Sequence, residues 1–208
     1  MGIIERKLRE KERRREEIVD SAEKLFFEKG FDSCTMDELA IVAELSKATL
    51  YVYFKSKTDI LLEINKRAIN KLKEYFENAV INQKNGFEKV RALGKSYYEF
   101  TIEYPDYHKF ITLFENYSSL ENASKTFKNL IKLDKIMINS IKEGMQDGSI
   151  KDIYNPEALS KSLWAMLTGL LQMINTKAEI FEKVFNLKKE DFYKHFYTII
   201  NQGIKKEN

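Results

Sequence analysis

Two prolines and eight glycines are all that punctuate these 208 residues. A chain with so few breakers has room for long uninterrupted helices and too few turns for a sandwich or barrel. Apolar residues recur at helical spacing almost throughout, and strand-like alternation persists nowhere. The fold class that follows is all-α, with about nine helices.

The helix boundaries can be read from capping chemistry. Ile18, Ala22, Leu25 and Phe26 mark one face of a first helix that ends at Gly30. Thr35 opens a second, and Glu38 three residues on completes a capping box. Ser46 suits the N-cap of a third helix. Ser56 caps a fourth, which follows Leu61, Ile64, Ala68, Leu72, Phe76 and Ala79 to about residue 82, before Asn85-Gly86. Further helices are expected at about 87–103, from Pro105, at about 120–146, from Asn155-Pro156-Glu157 to about 175, and at about 189–204. Residues 176–188 read equally as loop or short helix. The organisation is a small head at residues 12–58, including the start of the fourth helix, and a larger body at 59–208.

No stretch approaches the roughly 18 apolar residues that span a bilayer. The basic N-terminus lacks the apolar core of a signal peptide, and Cys34 has no second cysteine to bond. These features suit a cytoplasmic protein with no membrane association. Charge is unevenly spread. Residues 6–15 carry seven Lys/Arg against two acids, 16–45 two Lys against nine acids, and 46–57 three Lys with no acid. Two basic segments thus flank an acidic one, a pattern that fits either solvated helix faces or a polyanionic partner.

Three short helices capped at Thr35, Ser46 and Ser56 have the spacing of a helix-turn-helix, with its turn at Glu44-Leu45. Leu39, Ala40 and Ala43 are small or apolar where two helices must cross, and Leu45 and Leu50 fill the angle between them. Lys47, Thr49, Tyr51 and Tyr53 would then face outward with donors for phosphates and base edges.

The stretch Thr35-MDELAIVAELSKATLYVYFKSK-Thr58, with Ile18-VDSAEKLFFEKGF before it, resembles the signature of the TetR (tetracycline repressor) family. The resemblance implies a sequence-specific, double-stranded-DNA-binding transcriptional regulator rather than an enzyme. By position it implies a phosphate contact for Thr35 and base-edge contacts for Lys47, Ala48 and Thr49. It implies phosphate or base contacts for Tyr51 and Tyr53, and a phosphate contact for Lys57. Leu50 and Phe54 fall on core positions. Val52 is apolar where many members are polar or aromatic; it suits a thymine methyl but bonds to no base. Glu44 stands in the turn where the family usually has Gly or another small residue, so a positive φ there would be strained. Arg13, Arg14 and Arg15 read either as a basic arm toward DNA or as a solvated terminus.

In the body, the helix from Pro156 is apolar around most of its circumference, which requires burial on more than one side. Leu163, Leu167, Leu170, Leu171 and Ile174, with Phe192, Phe196, Ile199 and Ile200 of the last helix, are expected to form a homodimer seam. The resemblance implies the same pairing, on a near-palindromic operator. It also implies an effector pocket, for which Phe76, Tyr97, Phe100, Tyr104 and His108 are candidates. Phe114, Tyr117, Met137, Trp164 and Met166 complete that set. Aromatics with polar tips and pliable methionines suit a small apolar or amphipathic effector, a fatty acyl compound or a planar cationic drug. No cofactor or metal is expected: His108 and His195 lie far apart and in no ligand pattern. A repressor released by its ligand is the reading that follows. An activator, a ligand-independent regulator and a helical protein-binding adaptor are the alternatives.

Overall fold

A computed structural model describes residues 2–117 and 120–206, with side chains at all of these except 113–117 and 120–130. Among the described residues there are nine α-helices and no strand. They are α1 (Ile3–Lys29), α2 (Met36–Val42), α3 (Lys47–Tyr53), α4 (Lys57–Ala79), α5 (Gly86–Glu103), α6 (Pro105–Tyr117), α7 (Leu120–Gln146), α8 (Pro156–Phe185) and α9 (Lys189–Ile204).

Two helices differ from the sequence expectation. α1 begins at Ile3, because the charged segment before Ile18 is built of strong helix formers with i,i+4 pairs such as Arg6–Glu10. The basic arm is therefore helical. α8 runs ten residues past 175, since nothing in Thr176–Phe185 breaks it. It stops where Asn186 turns left-handed at φ 51° and donates its N–H to Glu182 O.

The helices group into two compact units, Met1–Ile69 with Asp106–Thr126, and Asn70–Pro105 with Phe127–Asn208. The division falls within α4 rather than at residue 58. The first unit takes in α6 for a reason legible in its core. Ile18, Val19, Ala22 and Phe26 of α1 meet Leu39 and Ala40 of α2, Leu50 of α3 and Ile60, Leu61 and Ile64 of α4. Phe110 of α6 joins that core, stacking on Phe26 at 6.2 Å and tilting against Phe27 at 5.3 Å. Buried Asn65 of α4 donates to Phe110 O at 3.2 Å. On the rim of this unit Arg67 binds Asp20 at 2.7 Å and Glu23 at 3.2 Å, as well as Glu16, while Tyr107 donates to Glu23 at 3.0 Å.

In the second unit Phe87, Val90, Ile141, Ile150, Leu159, Leu163 and Ile204 form a core of their own. α5 and α7 meet backbone to backbone: a Cβ on Gly86 would sit 2.0 Å from Gly144 N. The turn after α7 closes this end. Asp147 accepts from Gly86 N at 2.8 Å, Ser149 Oγ from Phe87 N at 3.1 Å, and Lys151 N donates to Ile204 O at 2.9 Å.

Candidate nucleic-acid interface

The interface is built from three capped helices. Thr35 Oγ1 accepts from Glu38 N at 3.2 Å, and the Glu38 carboxylate accepts from Thr35 N at 2.9 Å and from its hydroxyl at 3.0 Å. Lys29 approaches the same carboxylate at 3.0 Å; that bond first, with those to Thr35, draws the Glu38 pKa down to about 2. The Thr35 hydroxyl expected to reach a phosphate is thus already engaged at both its donor and its acceptor.

At the turn, Leu45 N donates to Ala40 O at 2.9 Å and Glu44 N to Ile41 O at 3.0 Å. This is a Schellman closure, and it holds Glu44 at φ 53°. The glutamate takes the glycine conformation rather than altering the turn. Ser46 then caps α3, accepting from Thr49 N at 3.1 Å, and its hydroxyl meets Thr49 Oγ1 at 2.8 Å. Leu50 is wholly buried, which turns the opposite face of α3 outward. That face presents Lys47, Ala48, Tyr51 and Val52, the last 72% exposed. Thr49 and Tyr53 are half-buried at its margins. Lys47 pairs with Asp37 across the turn at 2.6 Å in an exposed, readily exchanged contact.

Two expected contacts have structural work instead. Lys57 points inward: its ammonium donates to Phe31 O at 2.7 Å, Cys34 O at 2.8 Å and Asp32 O at 3.2 Å, and lies 4.4 Å from the Phe31 ring centre. Three N–H groups meet three carbonyls, so this lysine ties the α1–α2 loop to α4 rather than standing ready for phosphate. Arg15 donates to Tyr53 O at 3.0 Å and to Glu63 at 2.8 Å, and its guanidinium lies 4.1 Å from the Phe54 ring centre. It caps the last carbonyl of α3, that of Tyr53. Arg13 and Arg14 pair with Glu17 along α1 at 3.5 and 3.0 Å. Cys34 is buried beneath the loop, and burial pushes its thiol pKa up.

Residues 18–64 match the model for bacterial regulatory proteins of the tetR family. Over nearly the whole length, the chain is similar to the biofilm operon negative transcriptional regulator IcaR of Staphylococcus aureus. Identity is 24% over 199 residues, covering 92% of this chain and all of that protein. Residues 18–64 thus carry the tetR-family signature, and the chain is similar to a transcriptional regulator over nearly its whole length. Solved structures of similar fold include the transcriptional regulator FadR of Bacillus subtilis in complex with stearoyl-CoA, at a TM-score of 0.67 and 21% identity over 78% of this chain and 88% of that one. Another is AibR in complex with isovaleryl coenzyme A and operator DNA, at 0.65 and 18% over 88% and 95%.

In the second unit lies an apolar slot of about 30 Å³. Four of the pocket candidates, Phe76, Tyr97, Met137 and Trp164, line it, with Tyr97 stacked on Trp164 at 4.6 Å and bonded through its hydroxyl to Thr168 at 3.2 Å. Leu163, Leu167, Phe196 and Ile200, expected in the dimer seam, line the slot instead. Leu171 and Ile174 are also buried within the chain, and Leu170 is half-buried. Periodicity identifies a buried face, but it does not say whether the chain or its copy buries it.

Other pocket candidates lie elsewhere. Phe100 packs against Tyr75 and Tyr104, His108 is buried in the first unit, and Met166 is 46% exposed. Phe114 and Tyr117 fall outside the residues whose side chains are described. Sequence reasoning missed Arg91, Gly94 and Tyr197. A Cβ on Gly94 would lie 2.5 Å from Tyr197 Oη, so the glycine seats that ring, and the hydroxyl donates to Arg91 O at 3.0 Å. Arg91 and Tyr197 also line an outer groove with Lys95, Glu88 and Tyr193.

Proposed function

We propose that this regulator is a homodimeric repressor of a near-palindromic operator, released by an amphiphile with an apolar tail. The observation that carries the DNA reading is the outward face of α3. Lys47, Ala48, Tyr51 and Val52 are exposed on a helix whose two ends and buried face are fixed by Ser46, Arg15 and Leu50. Such a helix enters a major groove with little loss of conformational entropy. Val52 then meets a thymine methyl, while Lys47 and Tyr51 supply donors. Repression is supported by the negative regulators among the relatives.

A second copy supplies the other half-site. Ser162, Met166, Gly169, Met173, Thr176 and Ile180 recur along α8 at alternating spacings of four and three, on a different side from the buried leucines. Met166, Ile180 and Val184 are 46%, 57% and 64% exposed, as is Ile199 of α9 at 67%. That is the period of a helix–helix seam, with Gly169 permitting close approach. We assign the dimer to this face.

The slot supports the effector reading. Its volume holds two waters at most, so a ligand enters only when its walls move, which makes release a shift between two populations. The acyl-CoA complexes of similarly folded regulators favour an acyl tail over a planar cation. The test is selection of duplexes from a random library by the purified protein. Enrichment of a palindrome, followed by its release with acyl compounds, is expected. No enrichment at low salt would sink the proposal.

A further inference from the structure

The N-terminal half of α1 has no role in either core. Residues 3–14 are exposed throughout, yet they form three helical turns. Six cations stand there against three carboxylates. Arg6, Arg13 and Arg14 are paired along their own helix, while Lys7 and Lys11 have no ion-pair partner among the described residues.

The position of Arg15 fixes which way this segment runs. Its bond to Tyr53 O puts that point of α1 against the C-terminal end of the recognition helix. Ile4, Leu8, Lys11, Arg15 and Ile18 follow one another at spacings of four and three, so they share one stripe of α1. The stripe that is core at Ile18 and cap at Arg15 therefore continues as Lys11, Leu8 and Ile4, with Lys7 beside it. A rise of 1.5 Å per residue carries it about 16 Å beyond Arg15. Leu8 and Ile4 are 62% and 76% exposed.

We infer that this helical extension is a second DNA-contacting element, which grips the duplex backbone flanking the half-site beyond the C-terminal end of α3. Lys7 and Lys11 bind phosphates, and Leu8 packs on the sugar faces between them. The extension reaches at most about five base pairs, taking 3.4 Å per step along a strand. It carries affinity and register but no sequence information, because its cations meet phosphates rather than base edges. The inference rests on the assignment of α3 to the major groove.

The experiment compares wild type with the double variant Lys7→Gln, Lys11→Gln and with Leu8→Gln. Glutamine is a good helix former and all three sites are exposed, so melting curves should coincide. Two duplexes are used, the operator trimmed to its half-sites and the same operator with long flanks. On the flanked duplex the double variant should flatten the slope of log K against log salt by about two, near 0.9 for each phosphate lost. Leu8→Gln should weaken binding severalfold with the slope unchanged. On the trimmed duplex all three proteins should bind alike, which tests α3 separately. Equal slopes on the flanked duplex would overturn the inference while leaving α3 in place. So would wild-type binding to anionic vesicles that the double variant loses without any change on DNA. Failure of every protein on the trimmed duplex would instead remove the reading on which the inference rests.

Discussion

Glu44 pays a conformational penalty that its neighbours enforce. A left-handed backbone costs an L-residue about 1–2 kcal/mol, and glycine at the same point loses part of that gain to chain entropy. Glu44→Gly is therefore expected to stabilise the head by about 0.5–1 kcal/mol, read as a shift in the denaturant midpoint with unchanged m. A destabilised variant would mean that the glutamate side chain contributes a contact of its own. Lys57 poses the opposite case. Its three bonds to Phe31, Asp32 and Cys34 carbonyls are charge-assisted. Lys57→Met should lower stability by about 1–3 kcal/mol, since it leaves those carbonyls without their donor. The salt slope of DNA binding should stay as in wild type. A flatter slope would show that the ammonium leaves the loop for a phosphate when DNA binds. The sequence motif identified this lysine, but a lysine that closes a loop and a lysine that binds phosphate look alike in sequence. Only the three carbonyls around its ammonium separate them.

Among the elements, capping made most boundaries legible. Thr35, Ser46, Ser56 and Asn155 each accept a bond from a backbone N–H three residues on. The α9 bounds were readable from Phe192, Phe196, Ile200 and Ile204 in phase. The start of α1 was not, because residues 9–17 hold no apolar side chain to carry the hydrophobic period from Ile18 back to Leu8. The end of α8 was not, because a left-handed Asn186 is a local backbone event. The faces of α8 were the harder problem. Its buried leucines and its exposed Met–Gly–Met–Ile stripe are both apolar enough to serve as a seam. Two substitutions separate them. Ile180→Glu places charge on the exposed stripe and should lower the dimer fraction by sedimentation, with monomer helicity intact. Leu167→Ala removes a slot wall and should cost about 2–5 kcal/mol of stability, with dimer affinity per folded chain unchanged. The reverse pattern would return the seam to the leucines first expected there.

For the whole molecule, the argument turns on linkage rather than on a path. On the proposed reading α3 of the first unit holds DNA, and the slot lies wholly within the second unit. Whatever joins them, a ligand that weakens operator binding by some factor must itself bind more weakly to the operator-bound protein by that same factor. The slot gives this a direction. It is nearly filled by its own side chains, so on the proposed reading a bound ligand rearranges the wall at Tyr97, Trp164 and Tyr197, and the tight slot is assigned to the form that holds DNA. Acyl-CoAs of graded length are the probes. Their affinity should rise with chain length up to the point at which the opened slot is full, at about 0.8 kcal/mol per buried methylene. Each should titrate more weakly against the protein–operator complex than against the free protein. A typical coupling of 1–3 kcal/mol makes that difference about 5- to 150-fold, well within reach of calorimetry. An acyl compound that binds equally with and without operator occupies the slot without being the releasing signal. In that outcome the slot is a binding site uncoupled from the operator, and repression is governed by another ligand or by protein concentration alone.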